Sequence, residues 1–81
     1  MGDYDPQRIF IHGSIPDIVV DRVLSEIPVG TFEYVERIDV IWLTTPPPSL
    51  QGYLANLRVG SVAAAFIGTA RGFRVDIWQH I

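Results

Sequence analysis

The chain contains no cysteine and no lysine. Without Cys there is no disulfide framework, thiolate metal site, iron–sulfur cluster or thiol nucleophile. Without Lys there is no Schiff base, no lysine general base and no Walker lysine. Clustered basic residues are also missing: a net charge of −3 argues against a general nucleic-acid binder. The uncharged stretch Val59 to Ala70, bounded by Arg58 and Arg71, falls far short of the ~20 residues that span a bilayer.

What is present is apolar and small. Eighty-one residues suit one domain, yet 48% of them are hydrophobic and the mean hydropathy is +0.26. Area scaling has a chain of this mass burying only roughly 63% of its surface on folding. The apolar surplus therefore favours self-association or a covering partner. Charge is divided along the chain. Residues 1 to 39 carry eight acids against three Arg, net −5, and residues 40 to 81 carry Asp76 against Arg58, Arg71 and Arg74, net +2. Such a division can orient a contact between copies or steer an acidic partner to the later half.

The opening Met1-Gly2-Asp3-Tyr4-Asp5-Pro6 is acidic and polar, unlike a secretory leader, and reads as a flexible lead-in over residues 1–7 before a single domain over 8–81. A cytoplasmic location is the expectation. Ile9-Phe10-Ile11 before Gly13 suits a buried strand. Ser14-Ile15-Pro16-Asp17 then carries helix-start signals, with Ser14 as the cap. The helix should run to about Ile27, with Val19, Val20, Val23, Leu24 and Ile27 on one side. Thr31 to Leu43 alternates as a long strand with Phe32, Tyr34, Ile38, Val40 and Trp42 on one parity, prone to break near Val35-Glu36-Arg37. Val40 to Leu43 should lie deepest in the sheet.

After Pro46-Pro47-Pro48, Ser49 can cap a second helix with Leu50, Tyr53, Leu54 and Leu57 at i, i+3, i+4 and i+7. Val59 to Ala70 fits a strand better than a helix, and Thr69-Ala70-Arg71-Gly72 turns into a last strand with Phe73, Val75 and Ile77 against Arg74, Asp76 and Trp78. The expected fold is α+β, a small mixed β-sheet in the order β-α-β-α-β-β with two helices packed on one face. The other face would stand open and present Trp78 or Trp42 to a partner. This order resembles the core of the thioredoxin fold, but without a redox Cys pair it implies no redox function.

Several residues carry chemistry. His12-Gly13-Ser14, at a strand-to-helix junction, could bind an anionic group at free helix N–H groups. Ile9-Phe10-Ile11-His12-Gly13 also resembles the oxyanion-hole strand end of α/β-hydrolases. No G-x-S-x-G elbow accompanies it, and the chain is too short for that sheet. Ser14 or Ser61, His12 or His80, and Asp39 or Asp76 form nominal triads without any spacing motif. Glu33, Glu36 and Asp39 read as a solvated strand rather than an acid–base pair. Arg71 and Arg74, flanking the turn at Gly72, could clamp a carboxylate or phosphate, and with Phe73 and Trp78 they are the expected partner contacts.

The leading expectation is a non-enzymatic protein-interaction or regulatory module that self-associates and binds another macromolecule, with no cofactor and no metal. The alternatives are a ligand-binding protein or enzyme subunit using His12, Gly13 and Ser14, and an assembly protein completed by its partner.

Overall fold

A computed structural model describes residues 6–27 and 35–80. A 3-10 turn, Pro6–Arg8, leads into β1 (Ile9–His12), followed by α1 (Asp17–Ser25), β2 (Arg37–Trp42), β3 (Ala55–Val59), β4 (Val62–Gly68) and β5 (Gly72–Gln79). The five strands form one mixed sheet in the order β1-β2-β5-β4-β3, parallel between β1, β2 and β5 and antiparallel between β5, β4 and β3. The α+β class and the mixed sheet agree with expectation; the second helix and the expected element order do not.

The segment expected to be that helix turns once and then becomes a strand. Ser49 Oγ accepts from the Gln51 N–H at 3.0 Å, a local turn in place of a helix cap. Gly52 follows with φ +91, which ends helical geometry after one turn. Asn56 to Val59 then pair with Val62 to Ala65 across Gly60-Ser61. A two-residue Gly-Ser loop with positive φ at Gly60 (+62) is a hairpin signal. Pairing with an all-buried neighbour outweighs the leucine spacing, because β4 already has both its faces covered.

The first helix forms where its apolar stripe predicts. Val20, Val23, Leu24 and Ile27 are buried and pack with Ile38 and Val40 of β2, Val75 and Ile77 of β5, and Val62, Ala64 and Phe66 of β4. Phe66 and Phe73 meet edge to face on this side, with centroids 5.6 Å apart. Its ends differ from expectation. The helix begins at Asp17, its N-cap is Pro16, and no side chain caps it: the Pro16 carbonyl accepts from Val19 and Val20 N–H groups, and Ser14 stands exposed. It closes at Ser25 rather than Ile27.

Strand β2 spans only Arg37–Trp42; Val35 and Glu36 precede it outside the strand, and Phe32, Glu33 and Tyr34 lie outside the described residues. The deepest strand is β5, between β2 and β4, and not Val40 to Leu43. Gly72 opens it in close contact with β2, where an added Cβ would run into the Arg37 carbonyl oxygen.

The sheet face away from α1 is not bare. Leaving β2, the chain crosses this face to reach the far edge at β3, and Leu43 and Tyr53 of the crossing pack on Ala63, Ala65 and Trp78. Small alanines on β4 make room for that crossing. Trp78 is consequently buried, at 6% exposure, and Trp42 packs with the α1-side core, so neither tryptophan is presented on an open face.

Candidate functional site: a cationic basin on the sheet

Strand alternation places Phe10 and His12 of β1, Arg37, Asp39 and Ile41 of β2, and Arg74, Asp76 and Trp78 of β5 on the face opposite α1. The register sets Phe10 beside Asp39 and Asp39 beside Arg74, with His12 beside Ile41 and Ile41 beside Asp76 in the next row. Two Arg-x-Asp triplets, Arg37-Ile38-Asp39 and Arg74-Val75-Asp76, thus stand on neighbouring parallel strands. In a strand, residues i and i+2 share a face, so each Arg can reach its own Asp.

Both do. Arg37 Nε donates to the two Asp39 oxygens at 3.0 Å, its terminal nitrogen lies 2.9 Å from Oδ1, and its guanidinium stacks 3.9 Å above the Phe10 ring. His12 Nε2 joins Asp39 Oδ1 at 2.8 Å. The Arg37 hydrogen bonds hold the Asp39 carboxyl below its ordinary range; partial burial opposes this and His12 adds to it.

Asp76 is in a stricter setting, 2% exposed within the central strand. Tyr53 OH donates to its Oδ2 at 2.6 Å, and a terminal nitrogen of Arg74 donates to the same oxygen at 3.3 Å. Arg74 Nε lies 3.2 Å from Oδ1, close enough for an ion pair but misaligned, so both atoms are buried without a formed hydrogen bond. The Asp76 hydrogen bond raises the Tyr53 phenol above its usual pKa, and burial acts in the same direction.

Around the first cluster the surface dips into a basin of about 460 Å³ lined by His12, Arg37, Asp39, Arg71 and Arg74, with Thr69 and Ala70 at its edge. Residues from two separate sequence expectations, His12 of the junction and Arg71 and Arg74 of the turn, meet there. Their expected companions do not. Gly13, with φ +91, and Ser14, which is exposed and caps no helix N–H, do not line the basin. Phe73 is half-buried on the α1 side, the opposite parity from Arg74, and Trp78 lies under the crossing chain. Arg37 and Asp39 escaped the sequence reading as a pair, although their i, i+2 spacing in a strand was the available signal.

The turn holding Arg71 is pinned by Thr69 Oγ1, which accepts from the Gly72 N–H at 3.1 Å. Among the described residues the Arg71 side chain makes no hydrogen bond or ion pair. The His12–Asp39 pair resembles two members of a triad, but no Ser or Thr hydroxyl bonds His12 among the described residues. Nor is any group of three or more His, Cys, Asp or Glu there placed to hold a metal, and no described helix is long and apolar enough to cross a membrane. No family model, curated protein or solved structure matches the chain.

Proposed function

We propose that this chain is a non-enzymatic protein-interaction module whose basin receives an acidic segment of a protein partner. The observation that carries this reading is the convergence of Arg37, Arg71 and Arg74 with His12 on one shallow depression lined by a single acid, Asp39. A carboxylate arriving there meets the Arg71 fork first, because Arg37 and Arg74 are already engaged with aspartates. Arg is suited to this role by its planar, bidentate geometry and its permanent charge.

Binding of a fluorescent Glu-rich decapeptide, followed by anisotropy against its Gln counterpart, tests the reading. Loss of one exposed charge-assisted bond should weaken binding about tenfold, or roughly 1.4 kcal/mol, in Arg71→Ala. Raised salt should weaken it further. Equal binding of the Gln peptide, or an unchanged Kd in Arg71→Ala, overturns it. Arg74 is a poor probe, because its removal strands a buried aspartate.

Self-association is a second reading with its own support. The α1 segment exposes Asp17 and, at its C-cap, Glu26, against one exposed Arg22, on the far side of the sheet from the basin, a charge complement carried by the same chain. Contacts between unlike surfaces are heterologous and propagate or close into rings. Sedimentation velocity that grows with concentration and reverts at high salt supports this; a constant monomer removes it.

A further inference from the structure

A second cavity, of about 490 Å³, lies at the other end of the same sheet face, between the proline-rich crossing and the β3–β4 hairpin. Its volume is in the range of small-molecule sites. Pro46, Pro47 and Leu50 line it from the crossing; Ala63 and Trp78 line it from the sheet; Arg58 and His80 add polar groups. The register explains why the cavity exists. Arg58 sits beside Ala63 and Ala63 beside Trp78, so an alanine separates two large side chains along one row. The proline run keeps the crossing extended and stiff over that gap, since Pro fixes its own φ and restricts its predecessor.

Two polar groups here lack partners among the described residues. The Arg58 guanidinium forms no hydrogen bond or ion pair, and the Trp78 indole N–H forms no hydrogen bond. An apolar lining beside an unneutralised cation selects a ligand that is greasy along its length and negative at one end. A purely apolar ligand would leave Arg58 unused, and a purely ionic one would leave the exposed proline and leucine surfaces of the crossing uncovered.

We infer that this cavity is a binding site for a small amphiphilic anion, such as a medium-chain carboxylate, with its chain over Ala63 and Trp78 and its head group on Arg58. The site shares no residue with the basin, so the two readings stand or fall separately.

The test is a titration of the full chain with sodium decanoate below its micelle threshold, with decanol in parallel, followed by the amide and indole N–H resonances. Trp42 and Trp78 are the two tryptophans, and Trp42→Phe assigns their indole signals. Decanoate should shift the Trp78 indole and the Ala63 amide saturably. Decanol should bind at least fivefold more weakly, and Arg58→Gln should weaken decanoate by about tenfold while leaving decanol unchanged. Arg58 is exposed on a hairpin strand, so that variant keeps the fold. The inference is overturned if Trp78 stays silent, if the shifts concentrate on Thr69 to Arg74, or if decanol and decanoate bind alike.

Discussion

Replacing Tyr53 by Phe deletes one oxygen and puts the buried carboxylate of the central strand at risk. Asp76 is 2% exposed, and the Tyr53 hydroxyl supplies its shortest hydrogen bond, 2.6 Å to Oδ2. Oδ1 already has no aligned donor, and the remaining bond from Arg74 is long, at 3.3 Å. A hydrogen bond to a charged group contributes about 1.5–3 kcal/mol, and stranding a buried acceptor costs at least as much. Tyr53 is only half-buried, so water can replace part of the loss, which places the expected cost near 2 kcal/mol. For a domain of this size each kcal/mol moves Tm by about 4–8 °C. Tyr53→Phe should therefore melt roughly 8–16 °C below the parent by circular dichroism. Its urea midpoint should fall without a change in m, because the exposed surface on unfolding is the same. Asp76→Asn in both backgrounds closes a double-mutant cycle, and the Tyr53 effect should shrink by at least half once the charge is gone. A cost under about 0.5 kcal/mol, or an equal cost with Asn at position 76, would refute the claim that this bond stabilises the buried Asp76 carboxylate.

Other perturbations have definite signs. Gly72→Ala should destabilise by at least 2 kcal/mol, near the upper part of the single-substitution range, because its Cβ collides with the Arg37 carbonyl; urea denaturation reads this. Trp78→Ala should cost about 3–5 kcal/mol through the cavity it leaves, so a loss of partner binding in that variant reports on folding, as its thermal melt will reveal. Asp39 has a lowered folded pKa, so its contribution is complete above the unfolded carboxyl value of about 3.9 and is lost as pH falls through the folded value. The urea-midpoint gap between the parent and Asp39→Asn should hold steady at pH 5 and narrow between pH 4 and 2. Tyr53 is shifted the other way: its contribution is complete below the ordinary phenol pKa of about 10 and is lost as pH rises through the folded value, so its ultraviolet titration should lag that of Tyr53 in urea.

Much of this architecture was legible along the chain, and the exceptions have physical causes. The α1 stripe and the alternation of β5 could be read directly, because α1 buries one side and β5 sets Phe73, Val75 and Ile77 against Arg74, Asp76 and Trp78 on opposite faces. The sequence around Leu50 to Leu57 satisfies a helical period and a strand hairpin at once. Gly52 and Gly60-Ser61 decide between them through backbone geometry, which a hydrophobic count ignores. The burial of Trp78 was hidden for a different reason. It depends on where an irregular proline-rich crossing lies, and that is set by contacts between residues as distant as Tyr53 and Asp76. The candidate basin was half legible: His12 stood out at one junction and Arg71 with Arg74 at one turn, while their common location needed the parallel register of β1, β2 and β5.

That register also explains how the sheet keeps a charged face without a second helix. An antiparallel neighbour can place like charges directly opposite and repel. Here β2 and β5 run parallel, and their Arg-x-Asp triplets are offset by two residues, so Asp39 of one falls beside Arg74 of the other. Charge therefore alternates both along each strand and across the pair. Each arginine engages the aspartate of its own strand, with Tyr53 and His12 completing the two carboxylates from other elements, and this leaves the arginine stems little rotamer freedom to lose when a ligand arrives. Arg71, carried on the turn just before β5, lies outside this pattern and lacks an aspartate of its own. The basin's excess positive charge thus follows from one arginine in a turn beside an otherwise balanced lattice.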